Sequence, residues 1–284
     1  MTNTSKSYKE LGVPYFREIF DLLDETFKSR GIPYYLLGAT AISLELLKDG
    51  IKPSRGTKDI DFAIMVSSYA DYKGLIEELK EKGFVNVTDP WTFYHKRFNI
   101  AIDILPFGEI EENNTVNFNE RNIDFHVLGM STILSSAGAK SVQIEEKLVN
   151  IPSLPGMILL KLVAWSDRPE KRENDLSDIL LIIKKYYWLM SEFITDQHFD
   201  LFELLDDSVL SQHIVASRVL GREAAEYLRL SDQLRERVFL VLEQNINDQY
   251  QSAIAKDWAG KLDESVEYTL SLLQAFLDGI NEKL

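Results

Sequence analysis

The chain has 284 residues, of which 45% are hydrophobic, and a formal net charge of −14. That length suits one large domain or two modest ones. The excess of acidic residues disfavours a protein whose main function is to bind nucleic-acid backbones, because such binding depends on clustered Lys and Arg. Without cysteine and with four scattered histidines, the sequence excludes a disulfide framework and a cysteine nucleophile and disfavours a zinc site. It also lacks a signal-peptide pattern and any apolar run of about 20 residues, which predicts a cytoplasmic protein with no membrane contact.

Helical and strand patterns alternate in the first half of the chain. In chain order, apolar spacing with Gly and Pro punctuation predicts a helix over 14–30, a strand at 34–37, a helix over 41–50, a strand at 59–66 and a helix over 68–82. Strand-like segments follow at 92–97, 99–105, 123–128 and 142–144. This order predicts an α/β fold with a mixed sheet and flanking helices.

The second half is different in character, because strand signals nearly vanish there. Its apolar periodicity predicts helices over 154–165, 173–188, 209–228, 233–245 and 262–277. We therefore predict an α/β domain over 1–150 and an all-helical domain over 151–284, with a boundary near Pro152–Pro155. The acidic excess is larger in the helical half, with 23 acidic and 14 basic residues against 22 and 17 before it.

Three aspartates lie on predicted strands. Asp59 and Asp61 open the segment DIDFAIMV, and side chains two apart on a strand share one face. Asp103 lies in AIDIL, and three carboxylates converge on one face if the two strands are neighbours. Carboxylates that close raise each other's pKa values unless a cation neutralises them, and their oxygens suit a hard cation such as Mg²⁺. The alternative is that Asp59 is a loop or cap residue and that Asp103 pairs with a Lys or Arg.

A tight strand-to-helix turn precedes these acids. The segment YYLLGATA predicts a strand, the turn Gly38-Ala39-Thr40 and then a helix. Such a turn lets the backbone approach a phosphate and aims helix N–H groups at it, although many tight turns use Gly for structural reasons alone.

These motifs together resemble the nucleotidyltransferase fold of the DNA polymerase β superfamily, and within it the AbiEii-like group, which includes toxins of type IV toxin–antitoxin systems. The resemblance is carried by GAT, by RGTKDIDF from Arg55 to Phe62, by AIDILP, and by LLKLVAWSDRPEKRENDLSDIL over 159–180. It covers roughly residues 33–180. The fold class it implies is a nucleotidyltransferase-type mixed sheet with flanking helices, followed by a helical domain.

The resemblance implies roles for individual residues. Asp59 and Asp61 would bind two Mg²⁺ ions, or Mn²⁺, with the nucleoside triphosphate, and Asp103 would complete the metal site and help to deprotonate the attacking hydroxyl. The implied nucleotide- and phosphate-binding residues are Gly38, Ala39, Thr40, Lys161 and Asp178. Arg55 either contacts a phosphate or pairs with the neighbouring acids. Relatives often have Ser at position 39 or 40, and Lys-Asp where this chain has Asn174-Asp175.

The sequence therefore predicts an Mg²⁺-dependent nucleotidyltransferase that moves a nucleotidyl group from an NTP to an acceptor hydroxyl and releases pyrophosphate. The acceptor is left open among a small molecule, a protein and tRNA. Two alternatives stand beside it: a non-catalytic nucleotide-binding or interaction protein of the same fold, and a toxin that acts on RNA and has an antitoxin protein as its partner.

Overall fold

A computed structural model describes residues 8–52, 59–87, 89–118, 123–135, 139–206, 208–248 and 250–284. The chain divides into two compact units, Met1–Ser153 and Leu154–Leu284. The first unit combines helices with strands, and the second is helical, as the sequence predicted.

The described part of the first unit contains four α-helices and nine strands, besides short 3-10 turns at Tyr8–Leu11 and Leu47–Asp49. The helices are α1 (Phe16–Ser29), α2 (Gly38–Leu46), α3 (Tyr69–Glu81) and α4 (Met130–Leu134). The strands are β1 (Tyr34–Leu36), β2 (Asp59–Met65), β3 (Phe84–Asn86), β4 (Thr92–His95), β5 (Ile100–Phe107), β6 (Thr115–Phe118), β7 (Ile123–His126), β8 (Ala139–Ile144) and β9 (Lys147–Pro152).

The central sheet is mixed, which confirms the predicted fold class. Its strand order is β1-β2-β5-β4-β3. β2 and β5 pair in parallel, whereas β1 with β2, β4 with β5 and β3 with β4 are antiparallel. β6 with β7 and β8 with β9 form separate two-stranded hairpins. The sheet thus places β5 directly beside β2, although some 40 residues of chain separate their first residues.

One face of this sheet carries the core of the first unit. Ile60, Phe62 and Ile64 of β2 are fully buried. The Phe62 ring packs against Phe20 and Phe27 of α1, at centroid distances of 6.2 and 6.0 Å. Because side chains alternate along a strand, the residues between these apolar positions face the other side of the sheet.

The second unit contains seven described α-helices. They are α5 (Leu154–Asp167), α6 (Glu173–Leu189), α7 (Ser191–Gln197), α8 (Val209–Leu230), α9 (Asp232–Ile246), α10 (Ala253–Leu262) and α11 (Val266–Lys283). Among the described residues of either unit, no helix combines the length and the apolar character needed to cross a bilayer.

Glycines set the distance between α8 and α11. A Cβ on Gly221 of α8 would lie 2.1 Å from the Phe276 carbonyl oxygen, and one on Gly279 of α11 would lie 2.0 Å from the Arg218 carbonyl oxygen. The two backbones therefore meet at positions where no side chain fits. Ser217 also donates across this contact, to the Leu272 carbonyl at 2.7 Å.

Some predicted boundaries were wrong. The predicted helix over 41–50 begins earlier, at Gly38, and its α-helical part ends at Leu46. The helix predicted to begin at residue 262 begins at Val266, because Asp263 adopts a left-handed conformation (φ 56°) that ends α10, and Ser265 then caps α11. The short elements that the sequence analysis did not identify are β3, β6, β9, α4, α7 and α10.

The contact between α8 and α11 gives a test of packing. We expect Gly221→Ala to lower the free energy of unfolding by about 1–3 kcal/mol, because the new methyl group overlaps a backbone carbonyl. Gly260→Ala is the control: it also adds a methyl group to a helix, but nothing lies within 4 Å of it. We expect the control to be neutral or stabilising by up to about 1 kcal/mol. Urea unfolding of the full chain measures both, and equal effects would contradict the close packing.

Candidate active site

Three aspartates lie along adjacent strands of the central sheet. Asp61 of β2 is the direct partner of Asp103 of β5 in the parallel register, and Asp59 is paired with Ala101 two residues earlier. Paired residues of neighbouring strands point to the same face, and so do residues two apart on one strand. All three aspartates therefore lie on the sheet face opposite Phe62. Asp59 is exposed, and Asp61 and Asp103 are half-buried.

The beginning of α2 lies against Asp61. Gly38 has a φ of +64°, and a Cβ at this position would lie 2.0 Å from Asp61 Oδ2. The preceding residue, Leu37, is hydrogen-bonded to β2: its N–H donates to the Asp61 carbonyl at 2.8 Å. Glycine is thus required at position 38 both by the backbone conformation and by the close approach of a carboxylate.

The three residues of the predicted phosphate turn differ in exposure. Gly38 and Ala39 are half-buried, whereas only 2% of the Thr40 surface is exposed. The N–H groups of a first helical turn have no intrahelical acceptor, so they can serve an anion. Here the turn offers backbone N–H groups of Gly38 and Ala39 more readily than the hydroxyl of Thr40.

A partly buried ion pair holds α2 in place. Glu45 lies near the end of this helix and is only 6% exposed. Its Oε1 is 2.5 Å from Nζ of Lys140 in β8. Breaking a buried pair leaves an uncompensated charge, which is strongly unfavourable. The pair therefore ties α2, and with it the turn at Gly38, to the β8–β9 hairpin.

Asp103 has a hydrogen-bond partner on the strand beyond it. Thr92 of β4 is its direct cross-strand partner, and the Thr92 hydroxyl donates to Asp103 Oδ1 at 2.6 Å. Asp61, Asp103 and Thr92 thus form one row across three strands. The sequence analysis did not identify Thr92; its signal would have been a polar residue at the start of a strand that forms a hairpin with the Asp103 strand.

The carboxylates suit a hard cation by their chemistry, because Mg²⁺ and Mn²⁺ prefer oxygen ligands. A side chain at position 38 would overlap Asp61 Oδ2, so glycine at this position lets the start of α2 lie directly against the carboxylate. Within the described ranges, however, no group of three His, Cys, Asp or Glu side chains is arranged to hold a metal ion as it stands. Metal binding by Asp59, Asp61 and Asp103 stays a prediction.

Lys161 and Asp178, both predicted from the resemblance, meet in the second unit. Lys161 Nζ of α5 is 2.8 Å from Asp178 Oδ2 and 2.8 Å from Asp175 Oδ1, both on α6. Burial alone would lower the Lys161 pKa, but the two carboxylates outweigh it and raise that pKa above its usual value. The ammonium group is therefore firmly charged and already bound by two acids of its own unit. Its contact with a triphosphate stays a prediction.

Not every predicted residue can be placed. Arg55 and the rest of the RGTK segment, 55–58, lie outside the described residues. Of the others, the structure brings Gly38, Asp59, Asp61 and Asp103 to one region of the first unit. Asp175 was not among the predicted site residues, although it lies three residues before Asp178 on the same helix.

Comparison with known proteins gives distant similarities only. No family profile matches the chain, and no curated protein matches its sequence. One similar solved structure is the lincosamide antibiotic adenylyltransferase LnuA with lincomycin bound, at 15% identity over 62% of this chain and 98% of that chain, with a TM-score of 0.37. A second is an antigenic nucleotidyltransferase-like protein from Paracoccidioides brasiliensis, at 15% identity over 70% and 94%, with a TM-score of 0.41.

A third is the antibiotic-resistance factor ANT(2'')-Ia, at 15% identity over 77% of this chain and 90% of that chain, with a TM-score of 0.37. Similarities this distant do not assign the chain to a family. An activity for this chain is therefore inferred from the sheet face that carries Asp59, Asp61 and Asp103, called the carboxylate face.

The Gly38 contact can be tested with a matched glycine. We expect Gly38→Ala to destabilise the chain and to displace the Asp61 carboxylate, because the methyl group overlaps Oδ2. Gly50→Ala is the control: Gly50 has a similar φ of +74° but nothing within 4 Å, so it carries only the backbone cost of about 1–2 kcal/mol. Urea unfolding should show a larger loss for Gly38→Ala; equal losses would contradict the contact with Asp61.

The ion pairs of Lys161 with Asp175 and Asp178 can also be tested by unfolding. We expect Lys161→Met to cost about 3–5 kcal/mol of unfolding free energy, because two buried carboxylates lose their cation. Lys261→Met removes an exposed pair with Asp257 in the same unit and should cost less than about 1 kcal/mol. Chemical unfolding measures both. A Lys161→Met protein as stable as the wild type would show that this lysine has no structural role.

Proposed function

We propose that this chain is an Mg²⁺-dependent nucleotidyltransferase, which transfers a nucleotidyl group from an NTP to an acceptor hydroxyl and releases pyrophosphate. The observation that carries the proposal is the row formed by Asp61 and Asp103 on adjacent parallel strands, with the Gly38 turn against Asp61. This arrangement combines carboxylates for a cation with backbone N–H groups for a phosphate, which is what transfer from a triphosphate requires.

The residues have separate tasks in this proposal. Asp59, Asp61 and Asp103 hold the cation, and the N–H groups of Gly38 and Ala39 bind the outer phosphates of the NTP. Asp103 accepts the proton of the acceptor hydroxyl, whose oxygen forms a bond to the α-phosphorus while the bond from that phosphorus to the pyrophosphate oxygen breaks. Bound Mg²⁺ supplies charge neutralisation for the phosphates during this transfer. Lys161, Asp178 and Arg55 are proposed phosphate-side residues from the resemblance to the AbiEii-like group.

The acceptor is the less defined substrate. The net charge of −14 favours a small molecule or a protein over tRNA, because a polyanionic acceptor would be repelled. If the chain is a toxin of the AbiEii-like kind, its partner is an antitoxin protein, and its expression alone should arrest growth. A salt-sensitive complex with tRNA would instead identify RNA as the acceptor.

The nucleotide half of the proposal can be tested first. We expect isothermal titration to show Mg²⁺-dependent binding of at least one of the four NTPs, and we expect Asp59→Asn/Asp61→Asn to lose it, because the cation ligands are gone. Asp71→Asn/Asp124→Asn removes the same charge from exposed sites in the same unit and should bind as the wild type does. Metal-dependent transfer that survives in Asp59→Asn/Asp61→Asn would refute the mechanism. Binding without transfer to any acceptor would favour the non-catalytic alternative.

A further inference from the structure

Asp103 is held by a neutral donor on the side away from Asp61. In the row across the sheet, β5 lies between β2 and β4, so Asp103 has Asp61 as its partner on one side and Thr92 on the other. The Thr92 hydroxyl donates to Asp103 Oδ1 at 2.6 Å, and both side chains are half-buried. A hydrogen bond to one carboxylate oxygen favours one orientation of the carboxylate group.

The position of Thr92 is itself fixed from several directions. Its N–H donates to the Asp89 carbonyl at 3.1 Å, and its carbonyl accepts from the Val87 N–H at 3.0 Å. The Asn86 side-chain amide donates to the same Thr92 carbonyl at 3.1 Å and to the carbonyls of Asp89 and Pro90. Thr92 is also β-branched, and such residues have few χ1 rotamers. Hydrogen bonds therefore hold the backbone of Thr92 on both its N–H and its carbonyl side.

We propose that Thr92 is a positioning residue that fixes the Asp103 carboxylate for cation binding. The inference rests on the proposed function, since it concerns the same metal site. Hydrogen-bond partners behind a metal ligand fix its orientation, and removing one typically lowers metal affinity about 10–100-fold. The bond to Oδ1 restricts rotation of the carboxylate, so Asp103 does not have to be ordered when the cation arrives.

Two variants of Thr92 distinguish the effect of its hydroxyl from the effect of its packing, and a third variant is the control. Thr92→Val keeps the branched shape and removes the hydroxyl, whereas Thr92→Ser keeps the hydroxyl and removes the methyl group. Ser141→Ala is the control, because Ser141 also donates across a strand pair of this unit, to Asn150 at 2.7 Å in the β8–β9 hairpin. If Thr92→Val does not fold, as judged by circular dichroism, Thr92→Ala provides the same comparison.

The measurement is Mn²⁺ affinity by electron paramagnetic resonance, with and without a non-hydrolysable NTP analogue. We expect Thr92→Val to bind Mn²⁺ about 10–100-fold more weakly, and Thr92→Ser and Ser141→Ala to bind as the wild type does. Unchanged affinity in Thr92→Val, or equal losses in Thr92→Val and Thr92→Ser, would overturn this inference and leave the proposed function standing.

The Mn²⁺ titration, read together with an assay of transfer from NTPs, distinguishes the two proposals. If the wild type binds no Mn²⁺ under either condition, both are overturned. If the wild type binds Mn²⁺ and Thr92→Val binds it weakly, but no transfer from any NTP occurs, the role of Thr92 is supported and the proposed reaction is not.

Discussion

The parallel register between β2 and β5 is the constraint on which the carboxylate face depends. It pairs Asp61 with Asp103 and also sets Phe62 beside Ile104 on the buried face. A slip of one residue would exchange the two faces, so that a carboxylate would enter the aromatic core around Phe62. Burial of an unpaired charge costs far more than any side-chain rearrangement. The apolar core therefore enforces the positions of the acids on the opposite face.

The turn at Gly38 depends on the same strand. The Leu37 N–H donates to the Asp61 carbonyl, so the chain enters α2 directly beside the Asp61 side chain. This proximity explains why position 38 has no room for a Cβ. The ion pair between Glu45 and Lys140 then fixes the other end of α2. A displacement of β2 or of α2 would thus change the position of the Asp61 carboxylate relative to the backbone N–H groups of the Gly38 turn.

Much of this arrangement could be predicted from the sequence, because alternation and apolar spacing are local signals. The strand that begins at Asp59 and the helix over Tyr69–Glu81 follow from such patterns. The convergence of Asp61 with Asp103 was predicted only on the condition that their strands are neighbours, which the parallel pairing of β2 with β5 fulfils. Thr92 could not be predicted in the same way, since its role depends on which strand lies beyond β5. The break at Asp263 was also missed, because a left-handed residue other than glycine leaves little trace in apolar periodicity. Short elements such as β3 have too few residues to show a period.

Asp103 in the first unit and the two acids beside Lys161 in the second unit have different hydrogen-bond partners. In the second unit, Asp175 and Asp178 have a cation of the chain itself, Lys161, at 2.8 Å from each. In the first unit, Asp103 accepts a hydrogen bond from the Thr92 hydroxyl, and its partner on the neighbouring strand is another acid, Asp61. Neighbouring carboxylates repel each other, and a cation that binds both relieves this repulsion. We therefore base the proposed site for a metal-bound triphosphate on the register of Asp61 with Asp103 and on the Gly38 turn.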